Sequence, residues 1–200
     1  MNKLKLYIYL VFIIGLLLLL KFKRKNYYDI PTYNTETTIN AVVEIPAGTN
    51  QIIEYKPGSN RFSKKVNGIK KNVNFLPYPI NFGFIPSTLM DTIQGGDGDA
   101  LDIIIISESA KTKTIINVLP LGILQISDNL EMDEIIIAIP SDEDYRVINA
   151  TKFVDLEDNY PEILDQLKNW FINYKGKGSI QFEGWKDEKA AMKRIARWVI

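Results

Sequence analysis

Cysteine and histidine are both absent from the 200 residues. Their absence excludes disulfides, thiolate nucleophiles, soft-metal sites and imidazole acid–base catalysis. Any metal bound by this chain must take oxygen ligands. Net charge is lacking too, since 24 Lys and Arg balance 24 Asp and Glu. The chain as a whole therefore has no electrostatic footprint for nucleic acid or anionic lipid. A length of 200 residues leaves little room for a second full domain, because one domain takes about 100–150 residues. Internal repeats and low-complexity segments are also missing.

A long apolar run occurs once, at residues 6–20, LYIYLVFIIGLLLLL, and Lys21, Lys23, Arg24 and Lys25 follow it directly. The run falls short of the roughly 20 residues that span a bilayer, although flanking lysines can snorkel and extend it. A cleaved secretory signal wants a small-residue cleavage site, and basic residues stand there instead. The reading is an uncleaved single-pass membrane anchor over residues 1–25, touching the lipid bilayer through residues 6–20. The basic excess over Lys3 and Lys5 on the other flank puts the C-terminal domain on the cytoplasmic side.

Residues 26–38, NYYDIPTYNTETT, lack periodicity and carry Pro31 among polar residues, which predicts a linker. The folded domain is expected over 39–200. Short β-branched runs alternate there with turn signals, at 39–45, 51–55, 82–85, 101–107, 114–126 and 134–139. So many strands with little helix between them point to a β-barrel or sandwich rather than a βαβ fold. Beyond residue 155 the pattern changes. Ile163, Leu167, Trp170 or Phe171 and Tyr174 fall at helical spacing over 159–174, with Pro161 suited to a first turn. A strand is expected at SIQFEGW and a second amphipathic helix over 186–200.

The chemistry-bearing stretch is GGDGDALDIIIIS, 95–107. Asp97, Asp99 and Asp102 lie on a glycine-rich turn and the strand entry beyond it, where the backbone can fold closely enough for their oxygens to converge on one hard cation. A calcium EF-hand fits the first spacings and fails on context. Its glycine position holds Asp102, and no helices flank the loop. An acidic surface hairpin is the plainer alternative, since Asp and Gly are common turn formers. A second acidic turn, SDNLEMDEIIIAI, holds Asp128 and Asp133 and also runs into an isoleucine strand. Two such turns at one end of a barrel would gather the negative charge that divalent ions neutralise. Glu44, flanked by apolar residues near the end of a strand, and Glu54, alternating with Ile52, read either as site carboxylates or as solvent-facing strand positions.

VVEIPAGTNQIIEY, PYPINFGFIP, GDGDALD, LGILQISDNLEMDEIIIAIP, NWFINYKGKG and FEGW, in this order, resemble the soluble family I inorganic pyrophosphatases over about residues 40–198. The resemblance implies an α+β fold, mainly β. It consists of a five-stranded OB-like β-barrel with two packed C-terminal helices, preceded in this chain by the expected transmembrane helix. It implies hydrolysis of pyrophosphate to two phosphates with several Mg2+ ions per site, Mn2+ being an acceptable substitute, and a homo-oligomer as a possible assembly. By position, Asp97, Asp102 and Asp133 match the tightest metal ligands, Asp128 a further ligand, and Glu44 and Glu54 the outer acidic positions. Asp99 matches the residue that orients or deprotonates the attacking water. Lys70, Tyr78, Tyr174 and Lys175 match residues contacting the metal shell or the phosphates.

The departures from that pattern gather on the phosphate side. Ile52 and Ile135 stand where the family has lysines, Lys70 (or Lys71) where it has arginine, Phe82 where it has tyrosine, and Ala100 where it has proline. Residues 91–96 lengthen the loop before Asp97. Each lost charge-assisted contact costs roughly 1.5–3 kcal/mol. The expectation is a weaker pyrophosphatase, with Lys56, Lys64 or Lys65 as replacement cations. The alternatives are a non-catalytic metal- or phosphate-binding module and a hydrolase of another phosphoanhydride.

Overall fold

The computed structural model describes residues 2–21, 25–64, 77–128, 131–176 and 178–200, with side chains described to residue 15 in the first stretch. Five strands close into a ring: β1 (Ile39–Ile45), β4 (Asn81–Phe84), β5 (Asp102–Ile105), β7 (Glu131–Pro140) and β6 (Ile115–Asp128), which pairs back onto β1. Closure leaves no exposed sheet edge within the ring. β8 (Ile180–Asp187) adds to β6 outside it, and β2 (Ile53–Lys56) with β3 (Arg61–Lys64) forms a separate antiparallel hairpin. Neighbours in the ring run antiparallel except β5 and β7, which are parallel with Ile103 opposite Ile136.

The isoleucine blocks follow from burial on both faces of the central strands. Ile104, Leu124, Ile135 and Ile137 pack toward α2 (Phe153–Asn159) and α3 (Pro161–Asn173), meeting Leu156, Leu167, Trp170 and Phe171. The alternate residues Ile103, Ile105, Ile123 and Ile136 share a cluster with Ala191, Ile195 and Trp198 of α4 (Glu188–Trp198). The result is a mixed α+β fold with a five-stranded ring and, among the described residues, four helices.

Most elements lie where periodicity places them, and the differences have local causes. The helix expected over 159–174 starts at Pro161, and a short α2 precedes it. Only Phe153 and Leu156 of α2 are buried, too few to show a helical period. Its first turn is held by Asp155, which accepts from the Thr151 and Lys152 backbone N–H groups.

Residues 26–38, expected as a linker, are packed on the ring. Asn26 caps a single 3-10 turn at Tyr27–Asp29, and Thr32 is buried with its hydroxyl donating to the Pro86 carbonyl at 2.7 Å. Two adjacent aromatic side chains carry enough apolar surface to bind this stretch despite its polar composition.

The first helix, α1 (Lys3–Lys21), does not bear out the membrane reading. Among the described residues, no helix is long and apolar enough to cross a membrane. A 15-residue apolar run rises only about 22 Å as a helix, against a hydrocarbon core of about 30 Å. This overturns the single-pass anchor, its bilayer contact and the cytoplasmic placement derived from it. The side chains of residues 16–21 and the whole of residues 22–24, part of the expected basic flank, lie outside the described residues.

One irregularity in the ring re-aims a carboxylate. The β1–β4 register shifts between Val43, opposite Gly83, and Ile45, opposite Phe82, so Glu44 is the extra residue of a bulge. Bulges redirect the side chain they carry. Gly83 makes the close approach possible, because a Cβ there would lie 1.9 Å from the Val42 carbonyl oxygen. Gly83→Ala is expected to destabilise the protein by about 1–3 kcal/mol in urea unfolding. Gly58→Ala, where a Cβ meets nothing within 4 Å, is the matched control and stays within about 0.5 kcal/mol of wild type.

Candidate active site

The glycine-rich stretch folds as the sequence suggests. Asp91 caps a 3-10 turn at Thr92–Gln94, accepting from the Ile93 N–H, and Gly95 ends that turn in the left-handed region at φ 83°. Gly96 passes so close to Met90 that a Cβ would lie 2.3 Å from its carbonyl group. The Gly98 N–H donates to the Met90 carbonyl at 2.8 Å, and the Asp99 carbonyl accepts from the Met90 N–H at 2.8 Å. Asp97 accepts the Asp99 N–H through Oδ1 at 2.9 Å. The chain then enters β5 at Asp102, clamped by the Leu101 N–H donating to Thr88 Oγ1 at 3.0 Å.

Asp102 is where the negative charge concentrates. Burial pushes its carboxyl well above the usual range, and Glu44, Asp97, Asp133 and Asp99 all push the same way. Asp133, on β7, is also raised by burial, with Asp97, Asp128 and Glu131 adding and Lys175 opposing. Glu44 is buried at 9% exposure. Burial raises it to about 7, against the Tyr55 backbone N–H that donates to its Oε1, while Glu54 and Asp99 raise it further. Four expected site carboxylates, Glu44, Asp97, Asp99 and Asp133, thus lie in electrostatic reach of Asp102. Among the described residues, no group of three or more acidic side chains is placed to hold a metal ion.

The remaining expected residues flank this cluster. Asp128, at the end of β6, takes an ion pair from Lys175 Nζ. Burial opposes the charge on Lys175, but Asp128 and Tyr174 together outweigh it and hold the ammonium above its ordinary pKa. Tyr174 caps α3 and stacks on Trp170 at 5.0 Å, and Trp170 packs on the buried Tyr78 at 4.4 Å. Burial raises both phenols, and Asp102 adds to each. Glu54 lies on the small hairpin, paired with Lys56. Lys70 falls outside the described residues, as do Lys65 and Lys71.

The apolar replacements make a coherent surface. Ile135 is buried in the core cluster that holds Tyr78 and Trp170, and Ile52 and Phe82 pack against the same cluster. Positive charge reaches the acidic end from elsewhere. Besides its bond to Glu54, Lys56 feels Asp99 and Glu44, all of which stabilise its charge. Sequence reading named Lys56 only as one of three candidates. It missed Tyr28, which lies near Glu44 and Asp99. No spacing signal marks that tyrosine, because its position depends on a long-range aromatic contact.

These shifts set a pH dependence. Glu44 ionises near 4.5 when unfolded and near 7 when folded. Its contribution to stability is therefore most favourable below about 4.5 and is lost as pH rises through 7. The difference amounts to about 3 kcal/mol at full size. In metal-free buffer, Glu44→Gln keeps an acceptor for the Tyr55 N–H and removes the charge. It is expected to match wild type at pH 4.5 and to exceed it in urea-unfolding stability at pH 8.

The inorganic pyrophosphatase family model matches residues 41–200. An inorganic pyrophosphatase of Mesorhizobium japonicum is 34% identical over 169 residues, covering 81% of this chain and 88% of its own length. One from Campylobacter jejuni is 34% identical over 164 residues, covering 80% and 88%. The inorganic pyrophosphatase of Thermus thermophilus superposes with TM-score 0.74 at 23% identity over 88% of this chain and 97% of that one, a likeness of fold. The truncated vacuolar soluble pyrophosphatase of Trypanosoma cruzi, solved in complex with PPi, gives TM-score 0.76 at 27% identity over 88% and 76%. With the carboxylate cluster inside the matched span and two relatives above 30% identity over most of both chains, the chain belongs to the inorganic pyrophosphatase family.

Proposed function

We propose that this chain hydrolyses inorganic pyrophosphate to two phosphates by metal-assisted attack of water. The observation that carries the reading is Asp102, desolvated at a strand entry and surrounded by Glu44, Asp97, Asp133 and Asp99. An all-oxygen donor set without histidine or cysteine fits a hard divalent cation, Mg2+ or Mn2+. Asp97, Asp102 and Asp133 are the residues to hold it most tightly, with Asp128 as a further ligand and Glu44 and Glu54 in the outer ring. When bound, such ions neutralise phosphoryl oxygens and make a coordinated water a nucleophile near neutral pH.

Asp99 takes the proton as the water oxygen bonds to phosphorus and the bridging P–O bond breaks. Its geometry is set by Asp97, whose carboxylate receives the Asp99 N–H. Lys175 and Lys56 are each paired with a carboxylate, Asp128 and Glu54, and each can exchange that partner for a phosphate oxygen. Tyr78 and Tyr174 supply hydroxyls beside them, and Lys70 is proposed as a further phosphate contact. On this reading the ammonium groups lost at Ile52 and Ile135 are replaced in part from the hairpin.

Phosphate release from pyrophosphate, with and without Mg2+, tests the reading. Asp99→Ala and Asp102→Asn are each expected to lower kcat by at least roughly 100-fold. Lys56→Met is expected to raise KM roughly ten-fold, the loss of one charge-assisted contact. Release that is independent of metal and of these residues would remove the proposal. A second reading, binding without turnover, is favoured by the apolar packing of Ile52, Phe82 and Ile135. Tight calorimetric binding of a non-hydrolysable pyrophosphate analogue, with no phosphate release, would establish it instead.

A further inference from the structure

The hairpin that carries Lys56 does not hold itself in place. β2 and β3 form a two-stranded sheet separate from the ring, and two strands alone are marginally stable in water. Lys56 stands directly opposite Arg61, so the rung that presents the ammonium adds no cohesion of its own. The next rung is aromatic. Tyr55 of β2 faces Phe62 of β3 with ring centroids 4.9 Å apart.

Tyr27, upstream of the span that matches the family, packs on both members of that aromatic rung. Its ring meets Tyr55 edge-on at 5.5 Å and Phe62 edge-on at 5.0 Å. Its backbone N–H donates to the Tyr55 hydroxyl at 3.0 Å. That hydroxyl has one proton to give and two acceptors in reach, Asn26 Oδ1 at 2.8 Å and Asn60 Oδ1 at 2.7 Å. The 26–28 segment is in turn fixed to the ring. The Tyr28 carbonyl accepts from the Ser87 N–H at 3.2 Å, and the Tyr28 ring packs on Phe84 of β4 at 5.1 Å. On its other side Tyr55 reaches the site directly, because its backbone N–H donates to Glu44 Oε1. Lys56 is the next residue, its ammonium paired with Glu54.

We propose that Tyr27 is a positioning residue for substrate binding: its ring clasps the β2–β3 hairpin to the ring of strands and holds Lys56 at the rim of the acidic site. The inference rests on the reading of Lys56 as a phosphate contact. Tyr27 touches neither metal nor phosphate, and its effect travels through Tyr55 and Phe62. A segment outside the matched span thereby supports the cation that stands in for the lysines missing at Ile52 and Ile135. Without the clasp, the hairpin samples other positions and Lys56 must be ordered at the moment of binding, which lowers affinity.

The test uses the full chain and reads hairpin and ligand separately. Hydrogen exchange follows the amides of β2 and β3. Calorimetry measures binding of a non-hydrolysable pyrophosphate analogue in saturating Mg2+, alongside KM and kcat. In Tyr27→Ala the hairpin amides are expected to exchange at least roughly ten-fold faster. Analogue binding should weaken and KM rise by roughly three- to ten-fold, with kcat within about two-fold of wild type. Tyr27→Phe keeps the ring contacts and is expected to behave as wild type. Tyr27→Ala combined with Lys56→Met is expected to bind the analogue no worse than Lys56→Met alone, because the clasp acts through Lys56. Unchanged exchange in Tyr27→Ala overturns the inference, as does faster exchange with unchanged analogue binding. So does a Tyr27→Ala loss that adds in full to that of Lys56→Met. Analogue binding that Lys56→Met leaves intact overturns the reading of Lys56 itself, and exchange separates that failure from a failure of the clasp because it needs no ligand.

Discussion

The constraint on which the site depends is the placement of the half-buried Asp102 carboxylate at a strand entry, where the titratable groups pressing on it are also acidic. In such a place a carboxylate either takes a proton or finds a cation, because an isolated buried charge is too costly to keep. The fold enforces that choice. Asp102 opens β5, a strand of the closed ring, and its neighbour Leu101 is fully buried and clamped to Thr88. The turn before it is tied to Met90 through Gly98 and Asp99. Relief by moving the backbone is therefore expensive, and on the proposed function a divalent cation supplies it.

Secondary features of the ring serve that same end. The bulge at Glu44 carries a buried carboxylate on a mostly apolar strand, and Gly83, opposite Val43, allows the two strands to approach. The hairpin brings Glu54 and Lys56 to the rim as a paired charge, and α3 delivers Tyr174 and Lys175 from the other side. Lys56 and Lys175 are each bound to a carboxylate, so the site is strongly acidic near Asp102 and balanced at its edge. That gradient suits a substrate bearing several negative charges only when metal has first neutralised the centre.

Much of this architecture is legible in the residues alone. Alternation and β-branching mark the strands of the ring, and β1 lies at Ile39–Ile45, as expected from INAVVEI. The aspartate spacing in a glycine-rich turn by itself fits an acidic surface hairpin more plainly, and it points to a hard cation only when read with the second acidic turn. What escapes has a common physical cause, dependence on contacts distant in sequence. The stretch 26–38 is polar and aperiodic, yet Tyr27 and Tyr28 find Tyr55, Phe62 and Phe84. β3 pairs with β2 although RFSK has no strand pattern of its own. The apolar run at the N-terminus misleads in the opposite direction, since hydrophobicity is readable from composition but the reach of the helix is a matter of length.

The direct test of the central claim is the thermal stability of the wild-type chain titrated with Mg2+ from an EDTA-treated start. A ligand that binds only the folded state raises the melting temperature with its concentration. If the carboxylates gathered around Asp102 await a divalent cation, the melting temperature rises progressively with Mg2+, and Asp102→Asn largely abolishes the rise. A melting temperature that stays flat with Mg2+, or a rise that Asp102→Asn leaves intact, contradicts the account.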